Sequence, residues 1–265
     1  MAWRRRLAGA GFATITASAC TAFYYRPDPS EDDLLQNQLP LSRKLKSSKN
    51  LSDNASEPEP LLLGFARGIT ISTICAIGQF VMHGLNTTTL IKDERHARLV
   101  DLVRNRPKGE PLITVANHGS TLDDPALFAA MMPWAVNLRP SLTRWSLCTQ
   151  EICFENEALA AFFGAGKKVL PIRRGGGINQ KLLVDFSRRL AVGDWCHVFP
   201  EGKTVQTGTL GGRLDLEKAK EVGLFKWGTG KLIAHAPRVP TVVPFFHTGM
   251  QDLVAEDPVS KDVLP

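Results

Sequence analysis

The sequence predicts an α/β fold in which a mostly parallel sheet is flanked by helices. Short apolar runs of the strand type alternate with segments whose apolar residues recur at helical spacing, and that alternation is typical of parallel βαβ units. At 265 residues, the chain can form one sizeable catalytic domain with an appended segment. We expect that domain to occupy residues 84–265, with ligands bound where its strands end. The strand-type runs are 111–117, 167–173, 195–200 and 239–246.

The first 60 residues precede the predicted domain and carry a targeting pattern. Residues 1–26 contain four arginines, many Ala, Ser and Thr, and no acidic residue. An Arg-rich, acid-poor start is typical of a mitochondrial transit peptide, so we interpret it as a mitochondrial targeting or anchor segment. A secretory signal and a short membrane anchor are the alternatives, since residues 7–23 are fairly apolar. Residues 27–60 are rich in proline and charge and predict a disordered linker.

An apolar stretch follows at residues 61–82, where Arg67 is the one charged residue. Its length reaches the roughly 20 residues that a spanning helix needs, although glycines and Gln79 dilute its hydrophobicity. It could cross the bilayer or lie in one leaflet as an interfacial segment, and a buried helix of the soluble domain is a third alternative. We expect membrane contact and assign residues 61–83 as a membrane-associated segment.

Helices are predicted between the strand-type runs. In residues 92–106 the apolar positions fall on one helical face. The next helix is predicted to start where Asp123 and Asp124 precede Pro125, because a capping carboxylate before a proline is a helix-start signal. The other helix-type segments are 179–191 and 228–236.

Charge and cysteine content narrow the classes of function. The formal net charge of +6 suits an anionic membrane surface or nucleic acid without choosing between them. The five cysteines show no paired or metal-ligand spacing, which disfavours a disulfide framework or a zinc site. We therefore expect buried reduced thiols and no bound metal.

The stretch NHGSTLDDP (117–125) has the pattern of a catalytic base. It places His118 just past a predicted strand and Asp123 five positions on, at a helix start. A turn of that length can fold the carboxylate back onto the imidazole, where it would fix the tautomer and stabilise the imidazolium. Ser120 is close but does not lie on the sharp elbow that exposes a hydrolase serine. The pattern thus predicts proton removal from a substrate hydroxyl, although a His and an Asp at this spacing also occur as plain loop and helix caps.

Two later motifs, together with this one, resemble the glycerolipid acyltransferase superfamily. NH-x-S-x-x-DDP is followed by PIRRGGGINQ (171–180) and VFPEGK (198–203), and that superfamily carries a His-x4-Asp motif, an arginine motif and a P-E-G motif in this order. The resemblance covers residues 65–253. It implies O-acyl transfer by His118 and Asp123, with no metal and no bound cofactor.

The resemblance also implies the residues that bind substrate. Arg174 and Gly175 fall on the arginine motif, where a guanidinium can grip a lipid phosphate. Glu201 and Gly202 match the P-E-G motif; Glu201 would accept a hydrogen bond from a glycerol hydroxyl, and Lys203 would add a charge for the phosphate. The substrate-binding residues assigned within the first motif are Asn117, Ser120 and Asp124.

The flanking stretches GDWCHVFPEGKT, LFKWGTGKLIA and PFFHTGMQD are similar to the branch of the superfamily that remodels cardiolipin. They imply transfer of acyl chains between phospholipids, from phosphatidylcholine to lysocardiolipin, at the inner or outer mitochondrial membrane and without a nucleic-acid partner. A coenzyme A-dependent lysophosphatidate or glycerol phosphate acyltransferase is the alternative enzyme, and a non-catalytic membrane-binding protein is the alternative of another class. His247 is interpreted as structural or supporting. Since that branch generally continues with another strand and helices, we expect a short C-terminal end.

Overall fold

The structure is a computed structural model that describes residues 61–153, 163, 166, 168–173, 176–177, 180–206 and 225–254. The predicted targeting segment (1–26) and linker (27–60) lie outside these residues, and so do Arg174 and Gly175. The predicted membrane-associated segment and most of the catalytic domain lie within them.

The core of the domain is a parallel sheet. Strand β1 pairs with β4 on one side and β5 on the other, while β2 pairs with β3. A parallel bridge between Trp145 and Cys196 joins the two sets, so the strand order is β3-β2-β4-β1-β5. Every pairing among the described strands is parallel, which confirms the predicted fold class. The strands are β1 (Leu112–Ala116), β2 (Ser146–Thr149), β3 (Val169–Ile172), β4 (Trp195–Val198) and β5 (Thr241–Phe245).

Helices cover both faces of this sheet. Because successive residues of a strand point to opposite faces, Leu112 packs in a cluster with α2, α3 and α4, whereas Ile113 packs in a cluster with α6 and α7. Strand β1 is therefore buried from both sides, and its carboxyl end lies between those of β4 and β5. The helices are α1 (Leu61–Gln79), α2 (Glu94–Asn105), α3 (Asp123–Met131), α4 (Trp134–Asn137), α5 (Gln150–Cys153), α6 (Lys181–Ala191) and α7 (Trp227–Ala234).

Helix α1 packs along α3. Ile71 and Cys75 are buried against Ala129, and the Gln79 side-chain amide donates to the Ala129 carbonyl at 2.8 Å. A Cβ on Gly78 would lie 2.8 Å from the Ala129 Cβ, so the glycine permits this close approach of the two helices. Within the described part of the chain, the helical stretch Gly64–Gly84 is long and apolar enough to cross a membrane by length and composition.

At the amino-terminal end of the strands, the turn before β1 contacts the turn before β4 through Gly109 and Gly193. Gly193 has φ +93°, and a Cβ there would lie 2.5 Å from the Gly109 Cα. Arg106 reaches the same turn, where its guanidinium donates to the Gly193 carbonyl at 2.9 Å. The connection into β4 therefore requires glycine.

The cysteines depart from the expectation of reduced thiols. The structure joins Cys148, on β2, to Cys153, on α5, in a disulfide, whereas Cys75 and Cys196 are free and buried. Their spacing of five residues carries no recognised signature, and only the strand-to-helix turn brings them together.

Candidate active site

The predicted base and its carboxylate meet at the carboxyl end of β1. The loop after Ala116 turns back so that His118 Nδ1 lies 2.9 Å from Asp123 Oδ2. Helix α3 begins at Asp123 itself, and the Asp123 N–H donates to the Ser120 carbonyl at 3.0 Å. The short connection between strand and helix thus brings the two side chains into contact, as the spacing predicts.

The Asp123 carboxylate organises the whole loop. It is fully buried, and its Oδ2 also accepts from the backbone N–H groups of Gly119 at 2.7 Å and Ser120 at 3.0 Å. An ionised carboxylate only accepts hydrogen bonds, so His118 donates from Nδ1. The lone pair of the imidazole then lies on Nε2, the atom that a general base needs.

The imidazole is held in place by an aromatic ring. Phe199, just past β4, stacks on His118 with ring centroids 4.0 Å apart and an interplanar angle of 10°. The His118 side chain keeps 19% of its surface exposed. One edge of the ring is therefore accessible to substrate, and the ring cannot easily swing away.

Glu201 contacts the backbone of His118. Its Oε2 accepts from the His118 N–H at 3.0 Å, and burial raises the pKa of this carboxyl. The turn that presents it requires Gly202, which has φ +69° and lies against the side chain of Lys226. Lys203 follows on the exposed side of the turn. Glu201 and Lys203 thus lie at the same edge as His118, as expected for neighbouring parallel strands.

Asn117 and His247 fasten the loop to the end of β5. The Asn117 side chain donates to the His247 carbonyl at 2.9 Å and accepts from the His247 N–H at 3.0 Å. The His247 ring returns a third contact, with Nε2 2.8 Å from the Asn117 carbonyl and 3.5 Å from Asp123 Oδ2. His247 is interpreted from the sequence as structural or supporting; its contact with the Asp123 carboxylate, which is far away along the chain, carries no local signal in the sequence.

Two further residues assigned to substrate binding, like Asn117, have protein partners instead. The carboxylate of Asp124 pairs with Arg144 Nε at 2.8 Å and accepts from the Ser146 hydroxyl at 2.9 Å. Burial alone would raise the pKa of Asp124, but Arg144, His197 and the Ser146 hydroxyl together lower it. Ser120 is fully buried, and its hydroxyl accepts from the Leu122 N–H at 3.3 Å. The geometry favours a structural role for both.

The arginine motif is described in part. Gln180 closes its loop: its side chain accepts from the Arg173 N–H at 2.7 Å and donates to the carbonyls of Arg173 and Gly177 at 3.0 and 2.9 Å. Gly177 adopts φ +71°, a conformation that glycine favours. The loop follows β3 at the same end of the strands as His118, with β2 and β4 between β3 and β1, while Arg174 and Gly175 themselves lie outside the described residues.

A groove of about 1010 Å³ lies beside the catalytic loop. Its walls come from the segment that follows α1, the start of α2, α3 and the end of β5, and both polar and apolar side chains line it. The apolar side chains that line it include Met82, Leu127, Met131, Phe245 and Leu253. Within the described ranges, no group of three or more His, Cys, Asp or Glu side chains is arranged to hold a metal ion.

Comparisons with known proteins identify the relatives of this chain. The family model described as acyltransferase matches residues 99–248. The chain is 38% identical over 194 residues to N-acylphosphatidylethanolamine synthase of Arabidopsis thaliana, covering 73% of this chain and 63% of that protein. It is 35% identical over 184 residues to tafazzin of Drosophila melanogaster (69% of this chain, 44% of the relative). It is 32% identical over 207 residues to taffazin of Dictyostelium discoideum (77% and 66%). The chain thus spans between 44% and 66% of the length of these curated relatives.

Proposed function

Because this chain belongs to the acyltransferase family, we propose that it is a phospholipid–lysophospholipid transacylase in which His118 is the general base. The observation that carries the proposal is the His118–Asp123 pair, in which a buried carboxylate orients the imidazole and leaves Nε2 for a substrate. The nearest serine, Ser120, is engaged with the backbone of its own loop. The hydroxyl to be activated therefore belongs to the substrate.

The reaction follows from that arrangement. His118 Nε2 takes the proton of a lysophospholipid hydroxyl while the oxygen attacks the carbonyl carbon of an acyl ester on the donor phospholipid. The imidazolium that forms is stabilised by Asp123. When the tetrahedral intermediate collapses, the ester C–O bond breaks and His118 returns the proton to the departing oxygen of the donor. The N–H groups of His118, Gly119 and Ser120 already donate to Glu201 and Asp123, so the oxyanion would be bound by other N–H groups near the loop.

The head group of the lipid would lie over the loops that follow β3 and β4. Lys203 is exposed on the turn beside His118, and an ammonium there supplies a positive charge for a lipid phosphate. We propose that Arg174 and Gly175 complete this phosphate site, as the motif implies. One oxygen of Glu201 accepts from the His118 N–H and so positions the loop. The other oxygen would accept a hydrogen bond from a glycerol hydroxyl of the acceptor lipid.

The groove beside His247 would receive an acyl chain. Part of its lining consists of Met, Leu and Phe side chains, alongside polar ones such as Asp93 and His96. Burying the chain's methylenes against the apolar part contributes about 0.8 kcal/mol for each CH₂. His247, which lines the groove, contacts Asn117 and Asp123, so we infer that the ester of a chain in the groove lies at the end nearest His118.

Helix α1 would hold the domain in one leaflet. One side of α1 is buried against α3, while the opposite side presents side chains that are each more than half exposed: Leu62, Phe65, Ile69 and the adjoining Phe80. A helix packed on the catalytic domain with an apolar outer stripe fits an interfacial position better than a spanning one. We propose a mitochondrial membrane as the location, on the basis of the predicted targeting segment.

A second candidate function is acyl transfer to the amine of phosphatidylethanolamine. The relative that is 38% identical is named N-acylphosphatidylethanolamine synthase, and the same imidazole could take a proton from an amine. The two reactions differ in the acceptor atom and share the base.

One assay separates these functions. Purified protein is incubated with monolysocardiolipin, phosphatidylethanolamine and phosphatidylcholine carrying a labelled acyl chain, with and without added acyl-coenzyme A. We expect label in cardiolipin without coenzyme A, and none with His118→Ala. Label in N-acylphosphatidylethanolamine would favour the second candidate, and transfer from acyl-coenzyme A alone would indicate a coenzyme A-dependent enzyme. Unaltered transfer by His118→Ala would refute the base.

A further inference from the structure

The end of β5 meets the catalytic loop through a histidine that the motifs do not include. His247 is separated from Asn117 by 130 positions, yet three hydrogen bonds join the two residues. The pairing continues the β1–β5 hydrogen bonding past the strand ends. The side-chain amide of Asn117, instead of a backbone amide, bonds to the backbone N–H and carbonyl of His247. The residue that precedes the base is thus fixed from the neighbouring strand.

The ring of His247 has a defined state. Only 9% of its side chain is exposed, and burial lowers its pKa, so the ring is neutral at neutral pH. Its Nε2 faces two acceptors, the Asn117 carbonyl at 2.8 Å and Asp123 Oδ2 at 3.5 Å. A nitrogen between two oxygen acceptors carries the hydrogen, so Nε2 donates to the carbonyl and directs the positive end of its N–H at the carboxylate.

We propose that His247 is a positioning residue for acyl transfer, acting through Asn117 and Asp123. This inference rests on the proposed role of His118 as the base. Through Asn117, His247 sets the direction in which the backbone enters His118. Through Asp123, it tempers the negative charge that faces the imidazole. The titratable groups around this point are His118, Asp123, Glu201, His247 and, on β4, the buried His197, and they act on one another.

Two substitutions test the two contacts. His247→Phe keeps a flat ring but removes the N–H, which leaves the Asn117 carbonyl without this donor and lets the loop shift. Because a displacement of about 1 Å can cost about 100-fold in rate, we expect kcat to fall by roughly 10- to 100-fold with KM for the lysolipid little changed. His247→Gln places an amide N–H within reach of the same carbonyl and should recover most of the lost kcat.

The pH–rate profile supplies a second readout. Removing the N–H that faces Asp123 strengthens the carboxylate's negative potential at His118, so the protonated, inactive form of the base persists to higher pH. The acidic limb of kcat/KM should therefore move to higher pH in His247→Phe and lie nearer its wild-type position in His247→Gln. A purely structural side chain would lower the amount of folded enzyme without moving that limb.

Asn137→Ala is the matched control. Asn137 is also buried, and its side chain also donates to backbone carbonyls, those of Ala129 and Met132 at 3.0 and 3.2 Å, but it belongs to α4. It should lower the melting temperature and leave both kcat per folded molecule and the pH profile unchanged.

The proposal is overturned if His247→Phe keeps wild-type kcat and limb, or if its whole loss disappears when activity is expressed per folded molecule. Where the Phe variant does not fold, His247→Gln decides. Near-wild-type turnover with the limb close to its usual position supports the role, and a loss of more than 10-fold in the folded Gln variant contradicts it. Failure of the proposed function is distinct: the wild-type enzyme itself would then transfer no acyl group from phosphatidylcholine.

Discussion

Replacing Asp123 by Asn changes the charge of the site and almost nothing of its shape. Its Oδ2 accepts from three donors within 2.7 to 3.0 Å, on His118, Gly119 and Ser120. The amide oxygen of the variant must take that position, because an NH₂ group there would face three donors. The NH₂ then replaces Oδ1, which is buried and has no hydrogen-bond partner among the described residues.

The magnitude follows from these contacts. An unpartnered buried amino group and three weakened hydrogen bonds should lower the free energy of unfolding by about 1–3 kcal/mol. The effect on the reaction is larger, since the imidazolium loses its counter-charge. The same exchange in a Ser-His-Asp triad lowers kcat by about 10⁴, which corresponds to about 5.5 kcal/mol at about 1.36 kcal/mol per decade. We expect a loss of about 10³- to 10⁴-fold in kcat here. KM should change little, because Asp123 is fully buried and cannot touch substrate.

Steady-state transfer from labelled phosphatidylcholine to monolysocardiolipin measures kcat and KM, and circular dichroism gives the folded fraction. Asp124→Asn is the neighbouring control: its carboxylate faces Arg144 and Ser146, so the variant should melt earlier but turn over normally per folded molecule. A folded Asp123→Asn enzyme within 10-fold of wild-type kcat, or one that changes KM alone, would refute the orienting role.

Three further outcomes are expected. Burial lowers the pKa of His197 to about 3, below its usual value of about 6.5, so the unfolded chain binds a proton at a higher pH than the folded one. Urea titrations should therefore show the free energy of unfolding falling from pH 6.5 toward pH 3, with a smaller fall in His197→Gln. Gly193→Ala should cost about 1–3 kcal/mol in the same titrations because of its positive φ, whereas Gly230→Ala, inside α7 with no described atom near the new Cβ, should gain up to about 1 kcal/mol. Ala130→Phe would fill the groove, so kcat/KM should fall more for long-chain than for short-chain donors in a comparison of acyl lengths.

Much of the fold follows from local pattern. Strands β1, β3, β4 and β5 lie within the predicted apolar runs, and α2, α3, α6 and α7 lie close to the predicted helical segments, because burial on both faces of a sheet imposes near-continuous apolar strands. Strand β2 was not predicted. It has only four residues, SLCT, and half of them are polar. They form a strand because they hydrogen-bond to β3 on one side and lie beside β4 on the other.

The site divides in the same way. The His118–Asp123 contact spans five positions and could be predicted from its spacing. The Glu201–His118 bond and the Asn117–His247 pairing span 83 and 130 positions, and both depend on which strands flank β1. Strand order is decided by tertiary packing, so these partners carry no local signal. The Arg144–Asp124 pair was missed for the same reason, since Arg144 precedes the strand that escaped prediction.

The pairing of Asn117 with His247 also makes the proposed catalysis depend on β5 staying paired with β1. Strand β5 is the last strand of the described sheet and lies at its edge, and Thr241 and Val242 are exposed there, so it should fray at a lower free energy than the centre. When it does, His118 and Asp123 remain neighbours, but the loop that aims them is released. On heating, the proposed acyl transfer should therefore disappear before the far-ultraviolet circular dichroism signal of the helices.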